Sequence, residues 1–264
     1  MRWLWPLFLL WGCSAQPPIP PGGIVSNNPC IDAILAEVAA PGQIAAVSSY
    51  SHDPVSGSAP LDWARAHPAL GTSAEEIIAA KPRLVLTGNL ASSGTNAVLS
   101  KAGVKLLAFG VPVSVAESVA QVRAVADALG RGEAGEELVR RIENAVKPSP
   151  LQGSRTAIIW QGGGFVAGEG TLQDELLIQA GFTNASAQYG LRQWDILPVE
   201  TLLRNPPNMI FMPSSALGEE QRALTARVKL LGRVKGKARV LAFPDKLLFC
   251  GGPTIVEAMR VLKS

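Results

Sequence analysis

The chain has 264 residues, 47% of them hydrophobic and 17% charged, with a formal net charge of +3. That length and apolar share supply one large or two medium domains with ample core, and exclude a largely disordered chain. The small charge excludes a strongly basic nucleic-acid footprint. The one basic cluster, Lys229, Arg233, Lys235, Lys237 and Arg239, reads as a solvated helix end and turn.

Arg2 precedes an apolar run over 3–11 that is too short to span a bilayer as a mature helix. A basic start, an apolar middle and small residues after it describe a secretory signal. Leu10, Gly12 and Cys13 resemble the lipobox of bacterial lipoproteins, whose cysteine is lipidated and becomes the new N-terminus. Trp11 is large for that motif, so ordinary cleavage near Ala15 is the competing reading. The Pro-rich stretch 16–23 is a stiff, extended tether. Residues 1–22 are therefore read as signal and tether. They place the remainder outside the cytoplasm, periplasmic or anchored to the membrane through Cys13.

Strand and helix then alternate. The pattern predicts a strand over 23–26 and a helix over 30–39, with Pro29 in its tolerated first-turn place. A second strand over 44–47 delivers Tyr50, His52 and Asp53 at its C-terminal end. Thr72 or Ser73 caps a helix beginning at Ala74. Strands follow over 84–87 and 105–109. Short apolar runs separated by helices are the mark of a parallel sheet covered on both faces. Val115, Val119, Val122, Val125, Ala126 and Leu129 recur at helical spacing over 114–129. A second amphipathic helix over 133–146, about 20 Å long, is long enough to join two lobes.

The second half repeats the alternation. A strand over 156–160 leads into the Gly-rich loop 161–170, and Thr171 with Asp174 forms a capping-box-like start to the next helix. A helix over 219–230, a strand over 240–243 and a closing helix over 253–262 complete the chain. One phrase occurs in both halves. Glu75 and Glu200 each open a short helix, Pro82 and Pro207 follow seven positions later, and an apolar strand comes next. Glutamate opposes the positive end of the helix dipole, and proline stops the helix. The spacing of the copies implies two similar lobes.

The chemistry-bearing residues are few. Gly162, Gly164 and Gly168 follow a strand, but without dinucleotide-fingerprint spacing or a later acidic partner, so the loop reads as one needing close backbone approach to a ligand. No serine occupies a nucleophile elbow. Cys30 at a helix N-terminus with His52 as base would make a cysteine-dependent hydrolase. Tyr50, His52, Asp53 and Asp62 would make a metal site, though no pair has a recognised ligand spacing. These remain the alternatives to a binding function. Tyr50, His52, Phe165, Trp194, Phe249 and Cys250 all fall just after a strand or before a helix. Open α/β sheets bind ligands beyond their strand C-termini, and aromatics exposed there suit a flat organic ligand.

Several stretches resemble the helical-linker class of periplasmic binding proteins, which feed ABC importers of cobalamin, haem and iron-siderophores. They are Gly23-Ile24-Val25-Ser26-Asn27-Asn28-Pro29, Val47-Ser48-Ser49-Tyr50-Ser51, Ala80-Lys81-Pro82-Arg83-Leu84-Val85, Phe165 to Glu169, and Trp194 ahead of Glu200. The resemblance implies an α/β fold of two Rossmann-like lobes, each with a mainly parallel sheet, joined by a single rigid helix with the ligand cleft between them. The lobes would be 23–130 and 151–264, with the connecting helix in 131–150. It implies a binding protein, not an enzyme, with no cofactor and no metal of its own. The protein would be a monomer, with the transmembrane permease and a metal-chelate ligand as partners. Tyr50, Phe165 and Trp194 match cleft-lining residues of cobalamin-binding members. Glu75 and Glu200 match glutamates that meet arginines of the permease. In that layout the N-termini of the helices after Cys30 and Cys250 point into the cleft from opposite sides. Unrelated buried thiols, a cross-cleft disulfide and thiols beside the ligand's metal are the three states open to this pair. The expectation taken is the last, with His52 and Phe249 beside them in the ligand site.

Overall fold

The computed structural model describes residues 21–55, 57–89, 93–148, 155–213, 226, 229, 232 and 238–264. The signal and tether, Cys13 among them, lie outside the described residues, as does most of the helix expected over 219–230. Two parallel sheets carry the fold. The first is built from β1 (Ile24–Ser26), β2 (Ile44–Ser48), β3 (Ala69–Leu70), β4 (Leu84–Gly88) and β5 (Leu106–Phe109), in the order β3-β2-β1-β4-β5. The second contains β6 (Thr156–Ile159), β8 (Thr183–Asn184), β10 (Met209–Pro213) and β11 (Arg239–Phe243), in the order β11-β10-β6-β8. Every pairing within both is parallel.

Read from the other edge, the second sheet is β8-β6-β10-β11, which repeats β2-β1-β4-β5 of the first strand for strand. The duplicated phrase sits at the corresponding place in each. Glu75 lies in the first turn of α3 (Ala74–Ala79), which leads into β4; Glu200 lies in the first turn of α8 (Val199–Arg204), which leads into β10. Both glutamates are exposed. The two-lobed α/β architecture expected from the sequence is the one observed.

Helix starts follow the capping residues. Asn28 accepts from the Cys30 amide at 2.9 Å ahead of α1 (Pro29–Val38). Ser73, rather than Thr72, accepts from Glu76 N at 3.2 Å ahead of α3. Ser114 does the same for α5 (Val115–Ala128), and Thr171 for α7 (Leu172–Gln179). Each cap satisfies an amide that the helix itself leaves unpaired. Two helices without clear apolar periodicity escape the sequence reading: α2 (Leu61–Arg65) and α4 (Ser93–Lys101), in which only Leu99 is buried.

Both sheets are covered on both faces. Along β1, Ile24 faces one apolar cluster and Val25 another; along β6, Ile159 and Ile158 divide in the same way, as the two-residue strand period requires. One of these clusters runs through the whole molecule. It joins Leu35 of α1, Val122 of α5 and Leu138 of α6 (Gly132–Ala145) with Leu177 of α7, Phe211 of β10 and Met259 of α9 (Thr254–Leu262). The lobes therefore share a core rather than meeting across water.

The α5–α6 pair forms the back of the molecule. Gly135 lets the helices close up: a Cβ there would come 2.5 Å from the Ala126 methyl. At its start α6 is held to the first lobe, where Arg131 Nε donates to Val38 O at 3.2 Å. At its end it is held to the second, where Lys263 Nζ donates to Ala145 O at 2.8 Å and Lys147 O at 2.7 Å.

Candidate functional site

In a parallel sheet all strand C-termini emerge at one edge, so the residues that follow them share one end of each lobe. In the first lobe these are Asn27 and Asn28 after β1, Tyr50 after β2, Asn89 after β4, and Gly110 to Pro112 after β5. In the second lobe the Gly-rich segment after β6 is not irregular throughout. It forms a short strand, β7 (Phe165–Ala167), antiparallel to β9 (Trp194–Ile196). Gly168 explains the composition. Its amide donates to Gln193 O, and a Cβ at that position would stand 2.7 Å from the same oxygen. The backbone that approaches so closely is the protein's own.

This ribbon carries two of the expected aromatic residues. Phe165 and Trp194 stack with centroids 5.3 Å apart and planes 11° apart. Phe249, ahead of α9, extends the strip: its ring lies 6.4 Å from Trp194 at 30°. Phe249 is 55% exposed and Phe165 37%, an unusual state for large rings that stack together. A cavity of about 170 Å³ opens beside Phe249. Its other wall is the strand-end edge of the first lobe, with Asn28, Cys30, Asn89, Phe109 and Pro112. Phe249 of the second lobe thus faces polar and apolar groups of the first.

The cysteines correct the expectation. Cys30 and Cys250 are not thiols beside a ligand; they form a disulfide, with Cα atoms 5.0 Å apart across 220 residues of sequence. The chain brings the N-terminal ends of α1 and α9 together, which is close enough for a bridge. A disulfide sulfur offers no thiolate, so the soft-donor role falls, and so does a cysteine nucleophile. His52 is also corrected. Its Nε2 lies 3.0 Å from Ala64 O and 3.1 Å from His67 O, so that nitrogen serves the turn after α2. His67 turns the same way, with Nδ1 2.9 Å from Trp63 O. Neither histidine points to acid–base chemistry. Among the described residues no group of three or more His, Cys, Asp or Glu gathers as a metal-ligand set.

Tyr50 is 55% exposed on a 3-10 turn, Ser49–His52, that a residue missed by the sequence reading holds in place. Asp32, wholly buried on α1, accepts from the Ser51 hydroxyl at 2.6 Å and the Ser48 amide at 2.9 Å. Burial pushes its carboxyl up to about 7, against the opposing pull of these hydrogen bonds. The only trace of it in the sequence was an acidic residue on an otherwise apolar helix face.

The sign of the linkage is set by a folded-state value above the unfolded one. Asp32 contributes stability that is complete below about pH 4 and is lost as pH rises through about 7. Three units amount to about 4 kcal/mol at most. Asp32→Asn should remove that slope, so the difference in unfolding free energy between wild type and variant should change steadily from pH 4 to pH 7.5 in urea titrations. A constant difference across that range would show that Asp32 does not titrate there.

The fold has clear relatives. A family model described as "Periplasmic binding protein" matches residues 24–230. No curated protein sequence matches the chain. Among solved structures, the periplasmic heme-binding protein RhuT from Roseiflexus sp. RS-1 superposes with a TM-score of 0.74 at 23% identity, over 92% of this chain and 98% of that one. A periplasmic heme-binding protein from Pseudomonas aeruginosa gives 0.70 at 19% identity, covering 92% of each chain. A Fe3+-hydroxamate transport protein from Saccharomonospora viridis DSM 43017 gives 0.67 at 19%, again with 92% of each. At these identities the likeness is one of fold.

Proposed function

We propose, since this chain belongs to the periplasmic binding protein family, that it is the exported substrate-binding component of an ABC importer. Its ligand is a metal chelate of the haem or ferric-siderophore kind. The observation that carries this is the strip of stacked rings, the exposed Phe165 and Phe249 on either side of the half-buried Trp194, whose end at Phe249 walls a cavity with the first lobe's strand ends. Rings that could bury themselves in a core are held out at the place where such folds take ligands, and they stack readily on a conjugated ring. The fold relatives named for haem and ferric hydroxamate support the same class of ligand. The protein acts by capture and hand-over, with no bond made or broken, and the signal-like N-terminus, with Cys13 as a tether, suits that location. A cysteine-dependent hydrolase is no longer a competing reading, because its nucleophile is bridged.

The test offers haemin, ferrichrome and cyanocobalamin to the purified protein and follows absorption and thermal unfolding. One of the three should raise the Tm by roughly 5–10 °C at a hundredfold excess over its Kd, the mass-action effect of binding only the folded state. Trp194→Ala should weaken that ligand by about 1–3 kcal/mol, typical of an aromatic anchor. Absence of binding by all three, with the protein folded, would set this reading aside.

A further inference from the structure

Resting on the reading of the inter-lobe space as a ligand cleft, we propose that the Cys30–Cys250 disulfide is a fixed pillar that sets the gape of that cleft and holds Phe249 as its central wall. The bridge joins the first turn of α1, in the first lobe, to the segment entering α9, in the second. It is not the only fastening of that segment. The Ser58 hydroxyl, from the first lobe, donates to Lys246 O at 2.8 Å, and the Gly252 amide donates to the Ser118 hydroxyl of α5 at 2.6 Å. On the other side the Gln173 side chain of α7 donates to Leu248 O. Phe249 therefore sits between two residues that are each tied down, Leu248 to its own lobe and Cys250 to the opposite one.

That placement explains how a ring can be 55% exposed and still have a defined position. It reaches Trp194 on the ribbon and also walls the cavity beside Asn89 and Pro112. The two bridged segments wall a second crevice as well. This one, of about 370 Å³, has Ala33 and Glu37 of α1 on one side and Lys246 and Thr254 on the other. Both openings between the lobes thus depend on the spacing of the same two stretches of chain.

Disulfide geometry limits that spacing. Bridged Cα atoms rarely exceed about 7 Å, so a pair now 5.0 Å apart has on the order of 2 Å of play. The lobes cannot part at this point by a hinge motion while the bridge is intact. A ligand accordingly enters edge-on beside Phe249, rather than into a mouth that opens and shuts around it. The wall left to yield is the β7–β9 ribbon, which belongs to neither parallel sheet. A thin conjugated ligand fits this access; a bulky one that needs the lobes to separate does not.

The experiment compares the intact protein with Cys30→Ala/Cys250→Ala. Spin labels are attached through keto amino acids at the exposed positions 101 and 178, one on each lobe. Pulsed electron resonance then reads the inter-lobe distance with no ligand present. A single narrow distribution is expected for the intact protein, and one broadened or lengthened by more than about 5 Å for the variant, beyond the play a bridge allows. Haemin, used as the probe, should leave the variant at least tenfold faster. If the variant does not fold, the intact labelled protein is measured before and after reduction by a phosphine under native conditions. Superimposable distributions in the bridged and unbridged protein would overturn the proposal. Broadening without haemin binding to either form would uphold the pillar and remove the haem-like ligand instead.

Discussion

Cells carrying Glu75→Lys/Glu200→Lys are expected to lose uptake of the ligand, by a hundredfold or more, while the purified variant binds that ligand within a few-fold of wild type. The two glutamates occupy equivalent places, each in the first turn of the helix that leads into β4 or β10, the strands that correspond between the two sheets. Both are exposed. A partner with two like sites would meet both at once, so the contacts reinforce each other. The resemblance to helical-linker binding proteins implies permease arginines opposite these glutamates; lysines there would turn two attractions into repulsions, and like-charge juxtaposition costs several kcal/mol at an interface. The single variants should show intermediate uptake. Normal uptake by the double variant, or a loss of uptake matched by a loss of affinity, would assign these residues elsewhere.

Loss of the Cys30–Cys250 bridge is expected to lower the Tm by about 10 °C, the second large effect. A cross-link spanning 220 residues restrains the unfolded chain strongly, and loop-closure entropy for that length is about 5 kcal/mol at 25 °C. Bridges in practice deliver about 2–5 kcal/mol, and for a chain of this size each kcal/mol moves the Tm by about 2–4 °C. Calorimetry of Cys30→Ala/Cys250→Ala, and of wild type with and without reductant, makes the measurement. The reductant should shift the wild type and leave the variant where it is. A change under 2 °C, with both thiols shown to be free, would mean that the shared core alone sets stability.

Much of this architecture is legible in the sequence because parallel strands buried on both faces are written as short continuous apolar runs. Ile44–Ser48, Leu84–Gly88 and Met209–Pro213 are of that kind, and the caps Asn28, Ser73, Ser114 and Thr171 mark the helix starts between them. The ribbon was hidden for a physical reason. Three-residue strands give no periodicity to read, and Phe165–Ala167, set among glycines, reads as loop until its partner strand some thirty residues later is in place. The rings Phe165 and Trp194 were found by their position after strands, and their mutual stacking only by the structure. The disulfide was one of three states open to the pair, and the sequence alone does not select it: a pairing over 220 residues depends on where two helix N-termini meet in space. His52 misled because a lone imidazole near a strand end looks like chemistry; two backbone carbonyls turned out to be its partners.

The β7–β9 ribbon has a consequence for how such a protein changes over time. Its six residues hydrogen-bond to one another and join neither of the sheets that hold the lobes together. Phe165 and Trp194 can be exchanged for other side chains with the framework left intact, since the ribbon is anchored by the buried Val166 and Ala167, the Ala167 carbonyl accepting from the Asn184 side chain. Diet and architecture are thereby uncoupled. A lineage can drift from one cargo to another by altering a few outward positions on this strip, and a laboratory selection confined to 165, 194 and 196 would explore new cargoes without spending its variants on misfolded chains.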